Sequence, residues 1–248
     1  MYCPELENKI VTFENFHEII GENKDKRIKV SFVNPFSYPI IAKRPDLIDN
    51  IDYWFSDGST LCLVTNLFRK REGKISRGSF DFSSLAGPCF EYLQNNYLSV
   101  AIIGGTADEC ERACDYFREQ YPRLNICFHH HGFLDSANTS EVLELLIKSK
   151  PDALVIGMGT PKQEEFMINA SNLLLNCKMF FTCGGFITQT ATSGDYYHPL
   201  VKKLGLRWLQ RAILHKHVRH RLLFDYPMFY YKYLTSGIGA KLKNNTVK

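Results

Sequence analysis

The chain has 248 residues, of which 45% are apolar and 23% charged, the make-up of a soluble globular protein with one large or two small domains. No apolar run is long enough to span a bilayer, so a membrane-spanning chain is not expected. The net charge of +4 hides an uneven distribution: residues 201–248 hold eleven Lys or Arg against Asp225 alone, which leaves −6 on the rest. A mildly acidic body that ends in a basic tail seeks phosphate, on a lipid surface, a nucleotide or a nucleic acid.

In chain order, Met1-Tyr2-Cys3-Pro4-Glu5 has no basic n-region and no apolar h-region, so no signal peptide is expected. Residues 28–33 read as a strand, followed by a helical stretch over 38–50 that Pro39 and Pro45 interrupt. Tyr53-Trp54-Phe55 leads into the turn Ser56-Asp57-Gly58. Residues 99–103 form a buried strand ending in Gly104-Gly105-Thr106, and a helix over 107–121 starts with Asp108 and Glu109 in its first turn. Then follow a short strand at 125–129, a helix at 141–148, a strand at 153–156, a helix at 162–175 and a strand at 178–183 that ends in Gly184-Gly185. Strand, crossover helix, strand predicts an α/β fold: a Rossmann-like parallel sheet with helices on both faces. None of the eight cysteines forms a Cys-x-x-Cys pair and most lie in apolar runs, which fits buried thiols in a reduced cytosolic compartment. The tract His129-His130-His131 does not converge on a metal, because successive strand residues point to opposite faces.

The segment 157–166, Gly-Met-Gly-Thr-Pro-Lys-Gln-Glu-Glu-Phe, is the most informative in the chain. A buried strand feeds a Gly-Thr-Pro turn and the turn feeds a helix, with Pro161 suited to the first helical position. Backbone N–H groups at such a start favour an anion such as a nucleotide diphosphate, with Lys162, Gln163 and Glu164 at the mouth. The competing account is an ordinary strand–helix turn. Gly104-Gly105, Gly157-x-Gly159 and Gly184-Gly185 all follow strands, and in an open parallel sheet such turns gather at the carboxyl edge, where ligands bind. None is a complete dinucleotide fingerprint or phosphate loop. No Asp-x-Asp pair is present to hold a divalent metal on a diphosphate.

Ser56-Asp57-Gly58, Ile103-Gly104-Gly105, His131-Gly132-Phe133, Gly157 to Glu164 and Gly205-Leu206-Arg207-Trp208-Leu209-Gln210-Arg211 occur in that order. Together they resemble the WecG/TagA/CpsF family of bacterial glycosyltransferases over about residues 28–221. The resemblance implies a Rossmann-like domain at 1–200 and a basic, aromatic C-terminal appendage at 201–248, acting as lid and membrane contact. It implies an inverting, metal-independent transfer of a sugar, of the N-acetylmannosamine type or a related hexose. The donor is a UDP-sugar, with no further cofactor, and the acceptor a lipid-diphosphate-linked saccharide at the inner face of the cytoplasmic membrane.

By the same resemblance Asp57 is the base that takes the acceptor proton, and Gln163 is a catalytic group that contacts substrate. An apolar-aromatic run leads into Asp57, a partly desolvated setting; the plain alternative is an Asp-Gly turn without chemistry. Substrate binding is expected at Asn34, Arg77, Gly104, Gly105, Gly159, Pro161, Lys162, Glu164, Gly184 and Gly185, with Arg211, Arg219 and Arg221 closing from the appendage. The chain departs from the family pattern at Phe32, at Gln189-Thr190, at Tyr197-His198-Pro199 and at Arg207, positions around the expected donor pocket and its lid. Aromatics interleaved with basic residues over 224–234 suit a bilayer interface, or else cap the core or an oligomer interface. Removal of everything beyond about Leu206 is expected to leave a folded body with little activity. A nucleotide-binding oxidoreductase and a non-catalytic nucleic-acid-binding protein are the competing classes. The first lacks a complete fingerprint, and the second leaves the acidic body and glycine turns unexplained, so no nucleic-acid partner is expected; self-association is left open.

Overall fold

A computed structural model describes residues 2–22, 26–68, 73–193, 213 and 219–245; of residues 22, 136–137, 221 and 237–245 it describes the backbone alone. Among the described residues seven strands, all parallel, form one sheet in the order β1-β3-β2-β7-β6-β4-β5. They are β1 (Ile10–Val11), β2 (Ile28–Val33), β3 (Tyr53–Ser56), β4 (Ser99–Gly104), β5 (Asn125–His130), β6 (Ala153–Gly157) and β7 (Met179–Thr182). The α-helices among the described residues are α1 (Pro4–Lys9), α2 (Phe16–Glu22), α3 (Tyr38–Ile41), α4 (Pro45–Asn50), α5 (Ser59–Phe68), α6 (Ala86–Asn95), α7 (Ala107–Gln120), α8 (Ser136–Ser149), α9 (Lys162–Leu173), α10 (Phe186–Ser193) and α11 (Tyr226–Asn245).

Successive residues of a strand face opposite sides, and the central strands are apolar on both. Val100 and Ile102 of β4, Ala153 and Val155 of β6, and Phe181 of β7 join a core with α2, α6, α7 and α10. Their neighbours Ala101, Ile103, Leu154, Ile156 and Phe180 join the opposite core with α1, α3, α4, α5, α8, α9 and α11. This is the doubly covered parallel sheet expected from the alternation of elements, and the predicted strands appear within a residue or two of their expected ends. The predicted helix over 38–50 is split into α3 and α4, each opened by a proline in its first turn. Sequence reading did not anticipate α1, α2, α5, α6 and α10, whose short apolar stripes are interrupted by polar residues.

Helices leave the strands toward opposite faces. The residues after β2 run into α3 on one face, while those after the adjacent β7 run into α10 on the other. A crevice opens between such strands at their carboxyl ends, the position at which open α/β sheets bind ligands.

Residues 194–212 and 214–218, with Tyr197-His198-Pro199 and the motif from Gly205 to Arg211, lie outside the described residues. The later part of the predicted appendage is not a separate layer. Phe229 and Tyr233 of α11 are buried in the core beside Tyr38, with ring centroids 5.4 and 5.6 Å from it. Tyr233 and Tyr38 both donate from their hydroxyls to Oε1 of buried Glu7, at 2.7 and 2.8 Å. Removal of the tail exposes apolar core and takes one donor from a buried carboxylate, which weighs against an undisturbed body. Phe229→Ala is expected to cost about 3–5 kcal/mol. A chain ended before Tyr226 should unfold at a clearly lower urea midpoint than the full chain, and an unchanged midpoint in circular dichroism refutes this role of α11.

Candidate functional site

A cavity of about 370 Å³ lies at the carboxyl ends of β2, β3, β6 and β7, lined by Asn34, Asp57, Arg77, Gly159, Gln163 and Gly184, with an apolar wall from Phe32, Phe36, Phe80 and Phe186. Next to it, beyond β6, a second cavity of about 460 Å³ is lined by Gly105, Gly132, Lys162 and Thr188. The two share Gly159, Gly184 and Gly185. A wider cleft of about 690 Å³ between α3 and α11 has neither a glycine turn nor a carboxylate–guanidinium pair in its lining, so the chemistry is placed at the strand ends.

Each polar group reaches the first cavity for a local reason. Asp57 follows β3 directly, and its N–H donates to the Val33 carbonyl at 2.8 Å, which ties the turn to β2. Asn34 follows β2; its Oδ1 accepts from the N–H groups of Phe36 and Ser37 at 2.9 and 3.0 Å and so turns the chain into α3. That leaves the Asn34 NH2 group, which meets no acceptor among the described residues. Arg77 sits in a loop pinned on either side. Asn66 exchanges two hydrogen bonds with Ile75, at 2.8 and 2.9 Å, and the Gly78 N–H donates to the Ser56 carbonyl at 3.2 Å.

One guanidinium nitrogen of Arg77 meets both Asp57 Oδ1, at 3.0 Å, and Asp81 Oδ2, at 2.7 Å. Two carboxylates therefore share one cation. Arg77, expected as a partner of substrate, is in this structure the partner of the expected base. Asp81 is buried and was not singled out from sequence; its signal was the four-residue spacing from Arg77 on a tight loop. Gln189 also lines the cavity, and its side chain has no hydrogen bond among the described residues.

The helix starts differ from expectation. At α7 the Glu109 carboxylate accepts from the Thr106 N–H at 2.8 Å and from the Thr188 hydroxyl at 3.1 Å, while Thr106 Oγ1 accepts from the Glu109 N–H. This capping box places the protein's own negative charge where an anion was expected. At α9 the Gln163 and Glu164 N–H groups donate to the carbonyls of Gly159 and Pro161, at 3.0 and 3.1 Å. Pro161 is the residue before the helix, not its first residue, and its bond to Thr160 is cis. Neither start offers the open rank of N–H groups that the sequence suggested.

The remaining expected site residues divide as follows. Gly105, Gly159, Lys162, Gly184 and Gly185 line one or both cavities, whereas Gly104 and Pro161 line neither. Glu164, expected at the mouth, is fully buried beneath it. Burial raises its carboxyl above the ordinary value, although hydrogen bonds from Gln163, Ser31 and Thr160 oppose the shift. Arg219 is exposed, donates to the Ile213 carbonyl at 3.1 Å and lines neither cavity. Arg221 opens a π-helical turn, Arg221–Asp225, with its side chain outside the described set, and Arg211 is outside it altogether. Among the described residues no group of three or more His, Cys, Asp or Glu is placed to hold a metal ion.

A parallel sheet with paired cavities over glycine turns at its carboxyl edge defines a Rossmann-like α/β protein. The family model for the Glycosyl transferase WecG/TagA/CpsF family matches residues 6–243, and the chain belongs to that family of glycosyltransferases. It is 40% identical, over 219 residues, to a Shigella boydii protein called UDP-Gal:alpha-D-GlcNAc-diphosphoundecaprenol beta-1,4-galactosyltransferase; the match covers 88% of this chain and 90% of that protein. It is 26% identical to N-acetylglucosaminyldiphosphoundecaprenol N-acetyl-beta-D-mannosaminyltransferase of Staphylococcus aureus strain MRSA252, over 75% of this chain and 70% of the other.

The Asp81 carboxyl gives the site a signature in acid. Burial alone raises its pKa; the Arg77 charge and hydrogen bonds from Arg77, Ser83 and Ser79 outweigh burial and hold it below the ordinary carboxylate value. The folded value is thus below the unfolded value of about 3.9. The stabilisation is complete above the unfolded pKa and is lost as pH falls through the folded one. Asp81→Asn should lose stability near neutral pH and show a flatter acid limb in urea midpoints. A limb as steep as the parent's shows that Asp81 is not a source of it.

Proposed function

We propose that this glycosyltransferase moves a sugar from a UDP-sugar to GlcNAc-diphosphoundecaprenol by inversion, without a metal, in the assembly of a bacterial surface polysaccharide. The observation that carries the reading is the Asp57 carboxylate in the cavity at the strand ends, held by Arg77 at 3.0 Å. A displacement with inversion needs one base on the acceptor hydroxyl, opposite the leaving group. Asp57 is at the right edge of the sheet for that, and Arg77, itself held by Asp81, fixes the carboxylate's direction. The phenylalanine wall excludes water, which otherwise competes as acceptor.

The donor spans the two cavities across their shared glycine turns, with its diphosphate toward Lys162. A basic group there stabilises charge on the departing UDP. The names of the relatives support the acceptor. They also set the order in which donors are tested: UDP-galactose first, on the 40% relative, then UDP-N-acetylmannosamine. The NH2 of Asn34 and the amide of Gln189 are the groups we assign to sugar hydroxyls.

No helix among the described residues is long and apolar enough to cross a membrane. The lipid acceptor is met from the surface, and we place Leu223, Phe224, Met228 and Tyr231 there, each more than half exposed. Leu223→Asp with Phe224→Asp should abolish cosedimentation with anionic liposomes while leaving the unfolding free energy from urea titration within about 0.5 kcal/mol of the parent. Undiminished cosedimentation removes this patch from membrane contact.

The decisive assay is UDP release from a panel of UDP-sugars with a lipid-diphosphate GlcNAc acceptor, in chelator. Release should require the acceptor, and the product should carry the anomeric configuration opposite to the donor's. Asp57→Asn should lower the rate about 10²–10⁴-fold with UDP affinity retained. A variant as fast as the parent refutes the base.

A further inference from the structure

Gln163 is expected to touch substrate, yet its amide is already spent. A glutamine amide has two acceptor lone pairs and two N–H donors. Oε1 of Gln163 accepts from the backbone N–H groups of Gly159, at 3.2 Å, and Gly184, at 3.1 Å. Nε2 donates to Glu164 Oε1 at 2.9 Å and to Thr160 Oγ1 at 3.4 Å. All four capacities are used, and the residue is only 4% exposed. The two glycines have φ of +76° and +54°, a region open to glycine and costly for other residues, so the turns are held by conformation and by this one oxygen.

Glu164 explains why the amide faces this way. Its Oε1 also accepts from Ser31 Oγ at 2.9 Å and Thr160 Oγ1 at 3.2 Å, and Ser31 is hydrogen-bonded to Thr182 at 2.9 Å. Ser31 is on β2 and Thr182 on β7, the strands that end at Asn34 and Gly184. A carboxylate oxygen only accepts, so it selects the NH2 side of the Gln163 amide and turns Oε1 toward the glycine N–H groups. The reversed amide sets donor against donor at both turns.

We propose that Gln163 is a positioning residue with no substrate contact, oriented by Glu164, and that the pair sets the separation of the two glycine turns shared by both cavities. The rate readout of this proposal rests on the transferase reading; its structural readout does not. Gln163→Glu keeps the acceptor for the glycines but turns two buried carboxylates on each other, whereas Gln163→Glu with Glu164→Gln restores a donor–acceptor pair with a single carboxylate. The Ser31 and Thr160 hydroxyls can rotate to accept from the new amide.

The test compares the parent, the single variant and the double swap by kcat/KM for the UDP-sugar, by pH profile, and by amide hydrogen exchange at Gly159 and Gly184. Circular dichroism checks that each is folded. The single variant should lose about 10²-fold in kcat/KM, the scale of a misplacement near 1 Å, and recover part of it in acid as the pair takes up a proton. It should also lose protection at both glycines. The double swap should return both readouts to near the parent. Restored protection with kcat/KM still as low as in the single variant means that Gln163 touches substrate and overturns the proposal, as does unchanged protection in the single variant. Absence of transfer in the parent defeats the transferase reading alone, and hydrogen exchange then decides the clamp.

Discussion

The central strands of this sheet are buried on both faces, and that constraint governs where polar chemistry can stand. A polar side chain within β4, β6 or β7 would lie in apolar core on either side. Ionisable groups are therefore pushed to the carboxyl ends, where the chain leaves toward one helical layer or the other. Adjacent strands whose chains leave in opposite directions open the crevice, and Asn34, Asp57, Gly159 and Gly184 each occupy the first residues beyond a strand. Ser31 and Thr182 are exceptions inside strands: Ser31 donates to Glu164 and is hydrogen-bonded to Thr182, so neither hydroxyl is left unpartnered.

Within the crevice the electrostatics are divided in space. The first cavity has two carboxylates about one guanidinium, which suits a base and repels a diphosphate. The start of α7 carries Glu109 as its own capping anion. Lys162 lines the second cavity, on the other side of the glycine turns, with Asp135 also in that lining. On the proposed reading this division separates proton removal from stabilisation of the leaving group, and the glycine turns that form the boundary are those that Gln163 grips.

The C-terminal helix serves two surfaces. Phe229 and Tyr233 are part of the core and partner Tyr38 and Glu7, while Met228 and Tyr231, one or two residues away, are exposed. Helical spacing makes this possible, since neighbours in sequence point to different sides. A segment with aromatics on every side reads equally as core cap and as interface; α11 has both buried and exposed aromatics.

The sequence determined the α/β class, the central strands, the glycine turns at their ends and the Asp57 position, because apolar runs, strand–helix alternation and turn residues are local signals. Family membership was legible for the same reason, from short motifs in fixed order. Tertiary structure decided what each motif residue faces. Arg77 joins Asp57 to Asp81 only because the loop that carries Arg77 folds over β3, and Glu164 turns inward while Lys162, two residues before it, lines a cavity. Adjacent charged residues in one motif look alike in sequence. The side of the helix on which each falls, and the partner that β2 or β7 presents there, is set by contacts more than a hundred residues apart, such as Ser31 with Glu164 and Thr182, which no local pattern encodes.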